Sequence, residues 1–185
     1  FDPGPAISNL SSNGLTDGYI AKYTQSGQLV WAFNIGGNSY DGAQKVKINN
    51  AGEVLVTGYY RNNVDFDPSS NTFFLNGTGL AGTDVGFGGD IFVAKYTSGG
   101  AFVWAFEIRG SYSQDKTEGM DVDVKDNIYS AGAVNTTSTY IIDADPGIGV
   151  YDIGGLGKGN GFVAKYSTNA NFIWAFNFGG YGLNS

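Results

Sequence analysis

Gly18-Tyr19-Ile20-Ala21-Lys22-Tyr23-Thr24-Gln25-Ser26-Gly27-Gln28-Leu29-Val30-Trp31-Ala32-Phe33-Asn34-Ile35 decides the fold, because the chain writes this stretch three times. Its first marker, Ala-Lys-Tyr, ends at Tyr23, Tyr96 and Tyr166. Its second, Trp-Ala-Phe, begins eight residues later at Trp31, Trp104 and Trp174. Successive copies stand 73 and 70 residues apart for both markers. A fixed period of this size signals one structural unit used repeatedly.

Within each copy the first marker closes an alternating, β-rich run, 19–23, 91–96 or 162–166. Turn residues follow: Ser26-Gly27, Gly99-Gly100 and Asn169-Ala170. A second β-rich run carries the tryptophan, over 29–35, 102–108 and 172–178. Two such runs across a short glycine or asparagine turn predict a hairpin. A third run spans 43–48 and 119–124, and a fourth 53–59 and 127–133, with Asn49-Asn50-Ala51-Gly52 or Lys125-Asp126-Asn127 between them. Four antiparallel strands returning about every 70 residues predict an all-β chain of β-propeller blades.

An insertion rich in glycine, asparagine and threonine separates the fourth run from the next first one, at 62–88 and 136–160. Its landmark is Asp65-Phe66-Asp67-Pro68, matched by Asp143-Ala144-Asp145-Pro146, and Phe1-Asp2-Pro3-Gly4 reads as a truncated third copy. The predicted organisation is a partial blade with an insertion tail at 1–41, a blade at 42–110 and a blade at 111–185. About two and a half blades cannot close a ring of four to eight. The expectation is therefore a piece of a longer protein, or a subunit whose neighbours supply the missing blades. A start at Phe1 rather than Met fits a processed or excised product.

Composition narrows the function. Glycine is abundant at 30 residues and proline scarce at 4, which suits short strands and tight turns. The net charge of −7 disfavours phosphate backbones and anionic membranes as partners. No apolar run approaches the ~18–20 residues of a membrane helix. The chain has neither histidine nor cysteine. That removes His-based triads, cysteine nucleophiles, disulfides and His-ligated metals, and leaves carboxylates, tyrosines and lysines as possible catalysts.

Three stretches resemble the bacterial seven-bladed β-propeller (SBBP) repeat. They are Asp17-Gly18-Tyr19-Ile20-Ala21-Lys22-Tyr23, Gly27-Gln28-Leu29-Val30-Trp31 and Ala51-Gly52-Glu53-Val54-Leu55-Val56-Thr57-Gly58-Tyr59. The form with Val64-Asp65-Phe66-Asp67-Pro68 between blades is similar to repeats of secreted and surface proteins of Bacteroidota. That resemblance implies an extracellular or cell-surface setting within a large protein, and no shared catalytic residue. A looser resemblance is to the tryptophan-docking motif of quinoprotein propellers. Ala21, Gly27 and Trp31 fit it, as do Ala94, Gly100 and Trp104, whereas Ala170 replaces the glycine between Ala164 and Trp174. Tyrosine stands where that family has an acid, so what carries over is a packing device and no cofactor.

Asp65 and Asp67, and likewise Asp143 and Asp145, are candidate calcium ligands, since alternate residues of an extended segment point the same way. The competing reading is a turn in which aspartate caps a bend and proline fixes φ. The three tryptophans, Trp31, Trp104 and Trp174, are expected to be largely buried, two of them between neighbouring blades, the competing reading being a platform for sugars. Lys22, Lys95 and Lys165 are expected to face solvent or to cover apolar surface with their stems.

Taken together, these features predict a non-enzymatic structural or adhesive module without a cofactor, a rigid scaffold for protein or glycan contacts. The alternatives are a carbohydrate-binding or glycoside-acting propeller and a subunit of an extracellular filament.

Overall fold

The computed structural model describes residues 1–4, 7–77, 89–110, 115–134, 142–154 and 160–179. Its strands are β1 (Gly18–Tyr23), β2 (Leu29–Ile35), β3 (Gly42–Ile48), β4 (Val54–Tyr60), β5 (Asn63–Asp65), β6 (Phe74–Asn76), β7 (Asp90–Tyr96), β8 (Phe102–Ile108), β9 (Lys116–Val122), β10 (Ile128–Val134), β11 (Asn160–Tyr166) and β12 (Phe172–Phe178). The described residues contain no helix. Two four-stranded antiparallel sheets run β3-β4-β7-β8 and β9-β10-β11-β12, and β1-β2 forms a two-stranded sheet equivalent to their last two strands. This is the predicted all-β architecture of partial propeller blades. The β5-β6 hairpin lies inside the first insertion. Much of both insertions, 78–88, 135–141 and 155–159, lies outside the described residues.

The repeat is kept to the residue. Ala21 pairs with Ala32, Ala94 with Ala105 and Ala164 with Ala175. One step on, Lys22, Lys95 and Lys165 stand opposite Trp31, Trp104 and Trp174, and the register shifts before each tyrosine. The turn that follows requires a left-handed residue. Gly27 and Gly100 supply it at φ 82° and 87°, and Ala170 adopts φ 65° in the third copy, where a side chain carries a strain of about 1 kcal/mol.

A bulge bends the first strand of each complete blade. Gln44 is the extra residue between the Ala43–Gly58 and Lys45–Thr57 pairs, and Glu118 the extra one between Gly119–Ala131 and Thr117–Gly132. The bulged backbone crowds its partner strand. A Cβ on Gly58 would stand 1.9 Å from the Gly42 carbonyl oxygen, and one on Gly132 2.1 Å from that of Lys116. Only glycine fits at either place.

The sheets stack face to face, and the middle sheet shows why its strands are so apolar. Val54 and Val56 of β4, with Phe92, Ala94 and Tyr96 of β7, join a core containing Ile20 and Ile35 of the first hairpin. Their alternates Leu55, Ile91 and Val93 join the opposite core with Met120, Ile128, Phe162 and Tyr166. A sheet covered on both sides buries both phases of its period-two pattern. The first strands β3 and β9 run side by side. The Thr57 and Thr117 hydroxyls meet there at 3.0 Å, and Lys47 pairs with Asp121 at 3.1 Å.

Candidate functional site: the joint between blades

The repeated tryptophan and lysine act together on the turn of the following blade. Lys22 Nζ donates to the Ser98 carbonyl at 2.7 Å, and Trp31 Nε1 donates to the same oxygen at 3.3 Å. The indole lies against Gly100, where a Cβ would stand 3.1 Å from the ring. Phe33 completes the contact against Tyr96 at 4.8 Å between ring centroids. The next joint repeats the arrangement. Lys95 Nζ donates to the Thr168 carbonyl at 3.1 Å, Phe106 meets Tyr166 at 4.7 Å, and Trp104 packs on the same core as Ala170. Among the described residues Trp104 Nε1 finds no hydrogen-bond partner, and the Lys95 ammonium stands 5.6 Å from its ring.

All three tryptophans are covered over most of their surface, though none is fully buried. Each lies on the outermost strand and stacks on the Phe two residues along, at 5.3–5.5 Å. The lysines do not turn to solvent. Lys95 is only 4% exposed and pairs with Glu53 at 2.9 Å. A buried ammonium needs such a partner and a carbonyl to offset its lost hydration. Lys165 takes Tyr129 Oη at 2.6 Å and Asp123 at 3.3 Å.

The acids that meet these lysines exchange places along the turn. In one blade Asn49 begins the turn and Glu53 ends it. In the next Asp123 begins it and Asn127 ends it. In both, the amide donates to the carboxylate and the carboxylate meets the lysine. Donation from Lys95 holds the Glu53 carboxyl below its usual range, and donation from Asn127 does the same for Asp123. The phenol of Tyr129, aided by Asp123, holds Lys165 above its ordinary value.

The repeat's two landmarks touch. Tyr96 Oη donates to the Phe66 carbonyl at 3.0 Å and Tyr166 Oη to the Ala144 carbonyl at 2.9 Å. Tyr23 Oη reaches the Phe1 carbonyl at 2.9 Å. Each tyrosine therefore pins the residue between, or before, the aspartates of the Asp-x-Asp-Pro unit. Burial pushes the Tyr96 and Tyr166 phenols well above their ordinary range, so they remain donors.

The aspartates shape the same segment. Asp65 Oδ1 accepts from the Asp67 and Phe73 amides at 3.1 and 2.8 Å, and Asp67 Oδ1 from Ser69 at 2.9 Å. Asp143 Oδ1 accepts from the Asp145 and Tyr151 amides, both at 2.9 Å, and Asp145 Oδ1 from Gly147 at 2.8 Å. These are Asx turns of the kind that fix a bend. Among the described residues no group of three or more acids gathers at a distance suited to a metal ion.

A cleft of about 310 Å³ lies between the insertions, lined by Glu107, Arg109, Asp143 and Asp145 with Phe73 and Phe106. The fully buried Tyr60 donates to Glu107 Oε2, and Arg109 Nε donates to Glu107 Oε1 at 2.7 Å. Both Glu107 oxygens are thus engaged. The Arg109 and Asp143 backbones pair across the cleft edge at 2.8 and 3.1 Å.

Asp41, which the sequence did not single out, is buried at the entry to β3. It accepts from the Gly37 and Arg61 amides at 2.7 and 2.8 Å. Burial pushes its carboxyl up to about 6 despite those amides. Because the folded value lies above the ordinary 3.8, the folded state holds the proton more tightly. This group's contribution is complete below pH ~4 and is lost as pH rises through ~6, by no more than about 3 kcal/mol. Asp41→Asn is expected to flatten that part of the stability–pH curve, read by urea titrations from pH 4 to 7. An unchanged curve contradicts the assignment.

No protein-family model matches this sequence. The chain is 27% identical over 122 residues to an uncharacterized WD repeat-containing protein of Acanthamoeba polyphaga mimivirus, a match covering 63% of this chain. The chain spans only 9% of that relative's length. Stacked four-stranded sheets, joints in register and this similarity define a chain of propeller-type repeats.

Proposed function

We propose that the chain is a non-catalytic scaffold segment of a secreted or cell-surface bacterial protein. Its stacked blades form a rigid platform, and its insertion loops meet protein or glycan partners. The observation that carries this reading is the repeated joint: lysine, indole and phenyl of one blade fitted to the turn and tyrosine of the next. The polar groups of the cleft support it as well, since both Glu107 oxygens are held by Tyr60 and Arg109. The mimivirus relative supports a propeller scaffold. The SBBP resemblance supplies the bacterial, extracellular setting.

Two assays test it. Aryl glycosides and a glycan array offered to the protein are expected to give no hydrolysis. Turnover abolished by Glu107→Gln contradicts the non-catalytic reading. Protease added to intact source cells is expected to destroy the protein, and full protection contradicts the surface setting. Calcium on Asp65, Asp67, Asp143 and Asp145 is a separate proposal. A cation bound only by the native state raises the melting temperature, so added Ca²⁺ is expected to do so relative to chelator. Equal melting leaves these residues as turn formers.

A further inference from the structure

An amine, an amide and a carboxylate meet at one oxygen in the joint between the middle and last sheets. Glu53 Oε2 accepts from Lys95 Nζ at 2.9 Å and from Asn49 Nδ2 at 2.8 Å. The amide oxygen is held as well, because the Glu53 backbone N–H donates to Asn49 Oδ1 at 2.8 Å. Lys95 and Asn49 are both buried. Leu55 and Trp104 stand opposite Lys95 on the two flanking strands. The Thr168 carbonyl takes a further hydrogen of the ammonium at 3.1 Å. Glu53 is partly exposed, which leaves this pocket an opening to water.

Each of these contacts has a role in amide exchange. A lysine amine that has lost a proton is a nucleophile toward a carboxamide carbon. Glu53 touches both the attacking nitrogen and the leaving one, so one carboxylate can carry protons between them. The Glu53 N–H donates to the oxygen on which charge develops as Asn49 Cγ becomes tetrahedral.

We propose that Lys95 and Asn49 join through an amide bond between their side chains, with Glu53 relaying the protons. Lys95 Nζ attacks Asn49 Cγ as a proton passes along the existing hydrogen bond to Glu53 Oε2. The Nζ–Cγ bond forms and the Cγ–Nδ2 bond breaks. The two protons that Nζ gives up end on the departing nitrogen, which leaves as ammonium, and Glu53 returns to its carboxylate. No oxidant or cofactor enters the balance. The bond ties the turn after β3 to the end of β7 and closes a covalent loop around the first insertion. It is a single self-modification without turnover, so it goes beyond the scaffold reading and does not rest on it.

The following blade holds the same three groups in another order and differs where the chemistry needs it. Asn127 Nδ2 donates to Asp123 Oδ2 at 2.9 Å. The backbone amide at the end of that turn serves the acid, since Asn127 N–H donates to Asp123 Oδ1 at 2.9 Å. It therefore does not polarise an amide carbonyl as the Glu53 N–H does. Lys165 Nζ is drawn to Tyr129 Oη at 2.6 Å and stands 3.3 Å from Asp123. Nucleophile, activated amide and relay come together at Lys95, Asn49 and Glu53.

The experiment is mass spectrometry of the whole chain after folding. The wild-type mass is expected to lie about 17 Da below that of the sequence, the loss of one ammonia. Trypsin is expected to spare Lys95 and to release 48–61 joined to 62–109 as one product. Lys95→Arg and Glu53→Gln are each expected to show the full sequence mass, because one lacks the amine and the other the relay. Lys165→Arg is expected to keep the loss. A folded wild type at full sequence mass overturns the proposal. So does a loss that survives in Lys95→Arg, or one confined to a single unlinked peptide, as ring closure of an asparagine on its own backbone gives. A folded Glu53→Gln that still loses ammonia overturns the relay. If Glu53→Gln lacks the β-sheet circular dichroism of the parent, the wild-type digest decides alone.

Discussion

Tyr96→Ala is expected to destabilise the protein by about 3–5 kcal/mol, the range for deleting a large buried aromatic. The side chain is fully buried in the core between the first hairpin and the middle sheet. It meets Phe33 at 4.8 Å and Phe102 at 6.0 Å, and its hydroxyl holds the Phe66 carbonyl. The phenylalanine variant isolates that last contact. Tyr96→Phe leaves a buried carbonyl without its donor and is expected to cost about 1–3 kcal/mol. Tyr23→Phe removes the equivalent bond at an exposed site, where water replaces the donor, and is expected to cost less than about 1 kcal/mol. Urea unfolding of the three variants supplies the comparison. Equal effects for Tyr96→Phe and Tyr23→Phe contradict the role given to the buried tyrosine as anchor of the insertion.

The second large effect comes from a smaller change. Gly58→Ala puts a methyl 1.9 Å from the Gly42 carbonyl oxygen, inside the bulged pair of β3 and β4. Neither backbone can yield without breaking the ladder that joins the first strand to the rest of its blade. The expected loss is about 3 kcal/mol or more, at the upper end of overpacking effects. Gly119 is the control. A Cβ there meets only the Ala131 methyl at 3.9 Å, so Gly119→Ala is expected to be neutral or to stabilise by about 0.4–1 kcal/mol. Thermal melts of both variants check the contrast. Similar melting temperatures contradict the steric account.

The blades were legible because their signals are local. Alternation, turn residues and a fixed period are properties of neighbouring positions, and the observed strands follow them to within a few residues. The β9 strand starts earlier than expected, at Lys116 rather than near Gly119, because the Glu118 bulge interrupts its alternation. The joint was half legible. The tryptophan-docking resemblance pointed to Gly27 and Gly100 as packing positions, and the indole does lie on Gly100. Which side chain is most deeply buried was not legible. Tryptophan is the larger residue, yet Tyr96 and Tyr166 are fully buried while the indoles are only partly so.

The lysines misled for a related reason. Each stands two residues after Ile20, Val93 or Val163 and so shares that apolar residue's face of the strand, and in an isolated sheet that face meets water. In a stack it meets another blade. The exchange of acid and amide between Glu53/Asn49 and Asp123/Asn127 hid the partner as well, because no single column of the repeat is always acidic. Asp41 carried no signal beyond being one aspartate among many. Its burial depends on amides from Gly37 and Arg61, and the second lies 20 residues away across a sheet.

The joint between blades is the centre of this account, and the α-protons of Gly100 report on it most directly. With the Trp31 ring seated on that glycine, proton NMR is expected to show one Gly100 α-proton shifted strongly upfield by the ring current, with a nuclear Overhauser effect to the indole. Gly27, in the equivalent turn but with no ring on it among the described residues, is expected at ordinary shifts. Ordinary shifts for both glycines, with no Overhauser contact between Gly100 and Trp31, contradict the stacking of one blade's tryptophan on the next blade's turn.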